Sequence, residues 1–501
     1  MEIAKLKTEN YSLTIGLEIH AELKTRTKMF CDSKNDTDES RPNINACPIC
    51  VGYPGTLPVI NFEAVQKVLR LGVAVGGEIA DYTEFDRKNY FYPDIPKGYQ
   101  ISQYANPLVK GGELAGVKLT RIHLEEDTAK STHDKNKESL LDFNRAGVPL
   151  MELVTEPVIK TPEAAANFAR ELQLLLRYLD ISGANMEKGE MRVEANISVA
   201  PLRNFQFPIS NFQSSPNELM FNENLKIENS LKIAKLKTEN SLGTKVEIKN
   251  LNSFKIVEKA IKFEMRRQIE TLEKGDRVVQ ETRGWDESKE VTFSQRLKES
   301  AHDYRYFPEP DLPKLFIREI PDFAPEALRR TMPELPWEKR ERYKKDFGLK
   351  ESDIEIYVRE PKRGRLLEEV AEKLRNSKAG KFESLITLAS NYIIVDLKKP
   401  IPSHDLVDII KMISAGEISS RGAKEILKVI ESEGGEPRTI AAEKNLIQES
   451  DREVLKTLVK EVLEENAAAP IQFLVGQAMK KSGSRANPII LQELFLEMLD
   501  R

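Results

Sequence analysis

The order of apolar and polar residues along the N-terminal part of the chain predicts β-strands. From Tyr11 to Leu23, in YSLTIGLEIHAEL, apolar residues alternate with a polar row. That row contains Thr14, Glu18, His20 and Glu22. The same alternation occurs in RVEANISV at 192–199 and TKVEIKN at 244–250. Strands with one polar face are typical of a sheet that covers a core on one side, so we expect a β-rich N-terminal region.

Helical signals interrupt this region and then dominate after about Pro336. Thr161-Pro162 predicts a helix start, with an N-cap followed by a first-turn proline. The helix is expected to carry an apolar stripe of Phe168, Leu172, Leu175, Leu176 and Leu179. Ser450 and Glu453 have the spacing of a capping box. The sequence therefore predicts an α+β fold, β-rich first and helical afterwards.

The segment from about 202 to 242 differs from its strand-like neighbours. It is rich in Asn, Ser, Lys and Phe, and its IAKLKTEN at 233–240 is identical to residues 3–10. One copy does not make a solenoid, which needs several units. We predict an inserted or duplicated loop without chemistry of its own.

Length and charge narrow the class of protein. The 501 residues exceed one ordinary core, so several domains are expected. A net charge of −4 argues against a surface that is basic throughout, and any nucleic-acid contact should be local. No apolar run is long enough for a bilayer, and the polar N-terminus lacks a signal-peptide core. We expect a cytoplasmic protein that does not contact membranes.

Glu18 and His20 are the first candidates for chemistry, because they share the polar face of one predicted strand. Carboxylates and imidazole on a rigid row can bind a divalent cation. The residues that could join them are Glu125, Glu126 and Asp127 in HLEED, and Glu152 in VPLMELV. Glu152 lies within an almost wholly apolar predicted strand. A carboxylate in such a strand needs a partner, because burying it unpaired costs stability. The alternative is a solvated strand face with Glu152 paired to an arginine such as Arg145.

The three cysteines suggest a second metal site. Cys47 and Cys50 form a CxxC, and Cys31 lies sixteen residues before it. Their odd number argues against a disulfide framework, whereas structural zinc requires four ligands. Zinc with a fourth ligand from elsewhere and three unliganded thiols both remain open.

Several common catalytic motifs are missing from the sequence. It has neither a GxxxxGK[ST] phosphate loop nor a GxGxxG after a predicted strand, and no Gly/Ser-rich amidase signature. If ATP is used, its site is of an uncommon type, and the chain should not release ammonia itself. The loops 86–102 and 302–313 are dense in aromatics and prolines. They predict either a rigid cleft wall or simple loop packing.

Together these segments resemble one family, the B subunits of glutamyl/aspartyl-tRNA amidotransferases (GatB). The resemblance covers nearly the whole chain, apart from the first ten residues and the 202–242 insertion. The matching stretches include IGLEIHAELKT, ACPICVGYPGTLPVIN, RKNYFYPDIPKGYQISQY, IHLEEDTAKS, DFNRAGVPLMELVTEP, TKVEIKNLNSF, QETRGWDE, HDYRYFPEPDLP and FLVGQAMKKSGSRANP.

The resemblance implies both a domain order and an activity. The domains would be a β-rich kinase–transamidase cradle at 11–300, a linker and helical domain at 301–430, and a YqeY-like tRNA-binding tail at 431–501. The activity would be that of a carbon–nitrogen ligase with glutamine as amido donor. It would use ATP and magnesium to activate the misacylated side chain of Glu-tRNA(Gln), Asp-tRNA(Asn) or both. Ammonia would come from an amidase A subunit, in a heterotrimer with a small C subunit.

The resemblance also implies roles for individual residues. The catalytic set would be Glu18, His20, Glu126 and Glu152. The magnesium ligands would be His20, Glu126 and Glu152, with Glu125 as the alternative to Glu126. The cleft residues proposed to contact the nucleotide are Lys88, Tyr90, Arg192, Lys249 and Arg305. The basic turn proposed to contact tRNA contains Lys480, Lys481 and Arg485.

Two departures and two alternatives accompany the resemblance. Zinc-bearing members have a further cysteine where this chain has Ser33, and relatives have a short turn in place of the insertion. A non-catalytic tRNA-binding scaffold is the competing hypothesis, but it would not need the set of Glu18, His20, Glu126 and Glu152. A free amidase is disfavoured because the nucleophile machinery is missing.

Overall fold

A computed structural model describes residues 10–133, 138–202, 242–297, 305–375, 377, 379–466, 469–483 and 485–499. Almost all of the predicted insertion therefore lies outside the described residues. The chain forms two compact units, Met1–Leu335 and Pro336–Arg501. Their boundary coincides with the change in composition at Pro336. The domain limits at 300 and 430 stay predictions.

The first unit contains the strands. They are β1 Tyr11–Glu22, β2 Glu78–Ile79, β3 Tyr82–Thr83, β4 Asp86–Asn89, β5 Tyr99–Ser102, β6 Val109–Lys110, β7 Glu113–Leu114, β8 Val117–Glu126, β9 Lys130–His133, β10 Ser139–Asp142, β11 Pro149–Thr155, β12 Met191–Pro201, β13 Val246–Leu251, β14 Glu281–Asp286, β15 Val291–Leu297, β16 Phe307–Pro308 and β17 Leu315–Phe316. The three strands predicted from alternation correspond to β1, β12 and β13, so these predictions are confirmed.

Ten of these strands form one sheet with β1 near its centre. The order is β15-β14-β13-β12-β1-β11-β8-β6-β2, with β7 paired to β8. β1 is antiparallel to both β11 and β12, and β11 is antiparallel to β8. Directly opposed residues of antiparallel neighbours lie on the same face. The polar face of β1 is therefore continued across β8, β11 and β12.

Helices cover the apolar face of this sheet. The helices of the first unit are α1 Phe62–Ala74, α2 Pro162–Tyr178, α3 Phe254–Glu273 and α4 Pro325–Arg330. Ile15, Leu17 and Ile19 of β1 are at most 1% exposed, and each such buried side chain stabilises the fold by about 1.5–3 kcal/mol. The predicted stripe of α2 is confirmed as buried. Thr161 caps α2 by accepting a hydrogen bond from the Ala164 amide at 3.1 Å.

The second unit is built from helices. They are α5 Pro336–Phe347, α6 Glu351–Arg359, α7 Pro361–Arg375, α8 Phe382–Asn391, α9 Ser403–Ser414, α10 Ser420–Glu433, α11 Pro437–Glu443, α12 Arg452–Asn466, α13 Ile471–Lys481 and α14 Pro488–Leu499. The last three share a core that includes Leu455, Leu474 and Phe495. Together the two units confirm the α+β class. No helix among the described residues is both long and apolar enough to cross a membrane.

The predicted capping box of α12 is wrong by one residue. The carboxylate of Asp451 accepts hydrogen bonds from the amides of Glu453 and Val454, at 2.8 and 3.4 Å. The hydroxyl of Ser450 instead accepts from the side-chain amide of Asn487 at 3.2 Å. Asp and Ser are about equally good N-cap residues. Asp451 is the N-cap here because its carboxylate reaches the free amides of the first turn.

Candidate metal centre

Four strands place a row of charged side chains on the polar face of the large sheet. The register pairs His20 of β1 with Glu152 of β11 on one side and with Arg192 of β12 on the other. On the next strand, His123 of β8 lies opposite Glu152. Glu125 follows His123 by two residues and so shares its face. Residues that are far apart in sequence thus meet around His20.

The imidazole nitrogens and carboxylate oxygens of this row lie at ion-pair distances from one another. The Nε2 atom of His20 lies 3.4 Å from a carboxylate oxygen of both Glu125 and Glu152, and 4.0 Å from one of Glu18. The Nε2 atom of His123 lies 3.4 Å from the same oxygen of Glu152. Three carboxylates and two imidazoles therefore converge on one region of the sheet, a donor set that fits a divalent cation.

Burial and crowding shift the pKa values within the cluster. Burial raises the pKa of Glu18 to about 7, and the neighbouring charge of Glu152 acts in the same direction. Burial opposes a charged His20, but the hydrogen bond and charge of Glu152 outweigh it and raise the pKa of His20 to about 9. A charged His20 therefore offsets part of the negative charge of the carboxylates around it. A bound cation would take over that neutralisation.

The side chains of the two adjacent glutamates of HLEED lie on opposite faces of β8. Glu125 faces His20, whereas Glu126 points to the other side of β8. There the carboxylate of Glu126 pairs with Lys97 and accepts a hydrogen bond from the amide of Ile101 at 2.9 Å. A one-residue step along a strand reverses the face. The structure therefore brings Glu18, His20, Glu125 and Glu152 together and corrects the placement of Glu126, which lies outside the cluster.

His123 is the member of the cluster that the sequence reasoning missed. Its side chain is 3% exposed and its Nε2 atom contacts Glu152. The spacing of His123 and Glu125, two residues apart, repeats that of Glu18 and His20. That repeated spacing was the signal available in the sequence. The arginine beside Glu152 is Arg121, at 3.4 Å from its carboxylate, rather than the expected Arg145. Arg145 lies 3.6 Å from the carboxylate of Asp127 instead.

Cationic side chains surround the cluster. Lys88 of β4 is half-buried. Burial alone would lower its pKa, but Glu125 and other nearby carboxylates raise it above its usual value. Arg192 donates to Asp127 at 2.9 Å, and Lys249 lies 3.0 Å from Glu194. These three residues, predicted as nucleotide contacts, thus all lie on or beside the polar face and remain charged.

The remaining predicted cleft residues lie in the aromatic loops. Tyr90 stacks on Tyr92 with ring centroids 4.5 Å apart. Arg305 is exposed, and its carbonyl accepts a hydrogen bond from Asn89 at 2.8 Å. Tyr306 stacks on Tyr104 at 4.4 Å. The preceding residues 302–304 lie outside the described part of the chain.

The three thiols also converge. The Sγ atom of Cys50 lies 3.4 Å from that of Cys31 and 3.5 Å from that of Cys47. The hydroxyl of Ser33, at the position where the resemblance implies a fourth cysteine in zinc-bearing members, lies 3.7 Å from the Sγ atom of Cys50. The ammonium of Lys28 is equally close, at 3.7 Å. The three thiols could supply three ligands to a zinc ion, but Ser33 offers only a weak fourth ligand and the ammonium of Lys28 opposes a cation.

The predicted tRNA contacts lie in the second unit. Lys480 and Lys481 end α13, Arg485 follows in the turn, and all three are exposed. Lys481 forms an ion pair with Glu465 at 2.6 Å. The predicted outward orientation of this basic turn is therefore confirmed, whereas contact with tRNA stays a prediction.

Comparison with known proteins identifies the family. The model of the GatB/GatE catalytic domain matches residues 13–215 and 218–320, and a GatB domain model matches 366–499. A protein of Thermodesulfovibrio yellowstonii is 39% identical over 519 residues, which cover 98% of this chain and 99% of the relative. A protein of Thermoanaerobacter pseudethanolicus is 38% identical over 515 residues, covering 98% and 100%. Both relatives are named as the B subunit of an aspartyl/glutamyl-tRNA(Asn/Gln) amidotransferase. The chain therefore belongs to the GatB family, as its motifs predicted.

Proposed function

We propose that this chain activates the side-chain carboxylate of Glu-tRNA(Gln), Asp-tRNA(Asn) or both with ATP, and converts it to the amide. The observation that carries the proposal is the cluster of Glu18, His20, Glu125 and Glu152 on one face of a rigid sheet. A tRNA-binding scaffold would gain nothing from burying several carboxylates together, because such burial costs stability. A metal-dependent phosphoryl transfer requires such a set.

The cluster and its neighbours would divide the work of the first step. Glu18, His20, Glu125 and Glu152 would hold magnesium, which supplies charge neutralisation and alignment of the phosphates. Lys88, held in its charged form by the carboxylates around it, would add fixed positive charge. An oxygen of the substrate carboxylate attacks the γ-phosphorus, and the bond from that phosphorus to the β,γ-bridging oxygen breaks. ADP leaves, and an acyl phosphate remains.

The second step replaces phosphate by nitrogen. Ammonia attacks the acyl carbon, the bond from that carbon to the phosphate oxygen breaks, and inorganic phosphate leaves. The nitrogen then loses a proton to give the neutral amide. A free carboxylate is a poor acceptor for ammonia, whereas the acyl phosphate provides a good leaving group. This explains why a nucleotide would be consumed.

The names of the relatives support a complex of several subunits, and we propose a heterotrimer. An amidase A subunit would hydrolyse glutamine and pass the ammonia on, and a small C subunit would complete the assembly. Ribosomes consume aminoacyl-tRNA, so the cytoplasm is the proposed location. Zinc at Cys31, Cys47 and Cys50 remains a separate proposal about stability rather than chemistry.

The test uses the reconstituted heterotrimer with misacylated tRNA, ATP and ammonium chloride as nitrogen source. Ammonium chloride bypasses glutamine hydrolysis, so the assay reports only the proposed activity of this chain. His20→Ala and Glu152→Ala should lower amide formation by roughly 100-fold or more, because metal-assisted charge stabilisation contributes several kcal/mol. Binding of tRNA should stay nearly unchanged.

The matched control is His404→Ala, which removes an exposed histidine paired with Asp405 in the second unit. This variant should keep normal turnover. Normal ATP-dependent turnover in either His20→Ala or Glu152→Ala would contradict the proposed metal centre. Unchanged tRNA binding together with no ATP-dependent amide formation by the wild-type complex would support the scaffold instead.

A further inference from the structure

The three cysteines of the first unit lie in two short turns whose sulfur atoms meet. The amide of Lys28 donates to the carbonyl of Ser33 at 3.0 Å and closes the first turn, which contains Cys31. The amide of Val51 donates to the carbonyl of Cys47 at 3.2 Å and closes the second turn. A backbone hydrogen bond thus fixes each turn and, with it, the place from which each sulfur projects.

Cys50 is the inner member of this three-cysteine site. Its Sγ atom lies 3.4 Å from that of Cys31 and 3.5 Å from that of Cys47, and all three sulfurs lie within 4.8 Å of one another. Cys50 is 4% exposed, whereas the two outer cysteines are half-buried. A small oxidant can therefore reach an outer sulfur, and Cys50 is placed to react with whichever outer sulfur is oxidised.

The ammonium of Lys28 lies beside the inner sulfur. This side chain is fully buried, and its Nζ atom is 3.7 Å from the Sγ atom of Cys50. The carbonyls of Phe143 and Ala146 accept hydrogen bonds from the same ammonium, at 3.1 and 2.7 Å, and so fix its position. A positive charge beside a cysteine sulfur favours its attack as a nucleophile. Lys28 therefore assists Cys50 in forming a bond to a second sulfur.

Ser33 makes oxidation a better fit to this site than tight metal binding. Structural zinc takes four ligands, but the fourth group here is a hydroxyl, 3.7 Å from Cys50. A disulfide, by contrast, needs only two of the three sulfurs. A zinc ion and a disulfide would compete for the same atoms, and the missing fourth thiol weakens the zinc ion alone.

We propose that the three-cysteine site is a site of reversible oxidation, where a hydroperoxide joins Cys50 to one outer cysteine in a disulfide. The sulfur of Cys31 or Cys47 first attacks a peroxide oxygen, the O–O bond breaks, and a sulfenic acid forms. The sulfur of Cys50 then attacks the sulfenic sulfur, and the S–O bond breaks. Two electrons pass to the peroxide, and the two thiol protons go to the two departing oxygens. No step uses ATP, tRNA or a metal ion, so the inference is independent of the proposed function.

The experiment treats the reduced, metal-free, full-length chain with hydrogen peroxide and counts its free thiols. The wild type should fall from three free thiols to one, and peptide mapping by mass spectrometry should find Cys50 in the disulfide. Dithiothreitol should restore all three thiols, because an external thiol reduces a disulfide by exchange.

Three matched Cys→Ser variants test the central place of Cys50. Cys31→Ser and Cys47→Ser each keep Cys50 and one partner, so both should still form a disulfide. Cys50→Ser keeps only the outer pair, which lacks the neighbouring ammonium, and should form a disulfide roughly 10-fold more slowly. Lys28→Met should slow the wild-type reaction to a similar degree. If Lys28→Met fails to fold, as judged by circular dichroism, the cysteine variants still decide.

Ser33→Cys tests the role of the missing ligand. This variant offers four thiolates, so it should retain one Zn²⁺ per chain after dialysis and then resist peroxide. The wild type, loaded with Zn²⁺ and dialysed in the same way, should lose most of its zinc and oxidise as before. The readouts are metal analysis and the count of free thiols.

Three results would overturn the inference. Wild-type chain that retains one zinc ion and keeps three free thiols in peroxide would show a structural metal site. Metal-free chain that keeps three free thiols would show that the sulfurs do not react. Equal rates in the wild type and Cys50→Ser would remove the special place of Cys50. None of these results depends on amide formation, so each leaves the proposed function to its own test.

Discussion

At the scale of single residues, the phase of a strand determines which side chains can react together. Alternation in β1 predicted that Glu18 and His20 share a face, and the structure agrees. The motif HLEED did not show which of its residues face His20, because three acidic residues follow one another without alternation. The register between β8 and β11 shows that His123 and Glu125 lie on that face. Pairing across strands is a long-range property, which local pattern cannot fix.

This phase gives a prediction for two adjacent, isosteric substitutions. Glu125→Gln should lower the turnover of ATP-dependent amide formation by roughly 100-fold, because it removes a carboxylate from the proposed metal centre. It should also weaken Mn²⁺ binding. The measurements are transamidation with ammonium chloride and a Mn²⁺ titration of the same preparation.

Glu126→Gln is the matched control for that prediction. It weakens the pairing with Lys97, whose side chain is 10% exposed, and should lower the free energy of unfolding by about 1–3 kcal/mol. Binding of Mn²⁺ should stay at the wild-type level. If instead Glu126→Gln loses Mn²⁺ and Glu125→Gln keeps it, the orientation assigned to β8 is wrong.

At the scale of secondary structure, most elements near the site could be predicted because each carries its own pattern. The strands β1, β12 and β13 alternate along their length, and α2 has both a cap and an apolar stripe. The start of α12 could not be fixed in this way, since Ser450 and Asp451 are both good caps. A hydrogen bond from Asn487, in the turn before α14, occupies Ser450. Tertiary structure therefore decided between two local signals.

The ends of the predicted insertion give a second prediction. The amide of Leu202 donates to the carbonyl of Asn10 at 2.7 Å, so the chain before the insertion stays beside β1. On the other side, Gly243 lies so close to β12 that an added Cβ would be 2.0 Å from the Val199 carbonyl oxygen. Both ends thus lie at the same end of β12. Replacing residues 204–240 by a short turn should keep the melting temperature within a few degrees and activity within about twofold.

Gly243→Ala is the control for this deletion. Its new methyl group would collide with backbone rather than with a flexible side chain, so the melting temperature should fall clearly. This variant establishes that the assay detects damage at the end of β12. A comparable fall in the deletion variant would mean that the segment stabilises the first unit.

At the scale of the whole molecule, the order of motifs predicted the family and the composition predicted the boundary between the two units. The motifs in sequence order identified the family, and the composition change at Pro336 marked the boundary between the two units. The net charge of −4 predicted that any basic surface is local. The exposed turn of Lys480, Lys481 and Arg485 is such a surface. The ion pair between Lys481 and Glu465 was not predictable, because the partners lie on different helices.

The basic turn gives the last prediction, which concerns binding rather than chemistry. We expect Lys480, Lys481 and Arg485 to bind tRNA phosphates, since their exposed charges stand out on an acidic chain. Changing all three to Gln should weaken tRNA binding and raise KM for tRNA. It should also flatten the plot of log affinity against log salt by roughly one phosphate unit for each side chain that no longer binds a phosphate. The rate of amide formation at saturating tRNA should not change, because none of these residues belongs to the metal cluster.

A matched triple variant controls for net charge. Lys428, Lys444 and Lys460 are also exposed in the second unit, so changing them to Gln removes the same charge from other positions. If the turn binds tRNA, only the first variant should show weaker affinity and a flatter salt slope. An equal effect in both would indicate a diffuse electrostatic attraction, because non-specific attraction depends on total charge rather than position. Wild-type affinity and slope in the first variant would contradict binding by the turn. In that case the ion pair with Glu465 would be the role left for Lys481, and tRNA would bind through another surface.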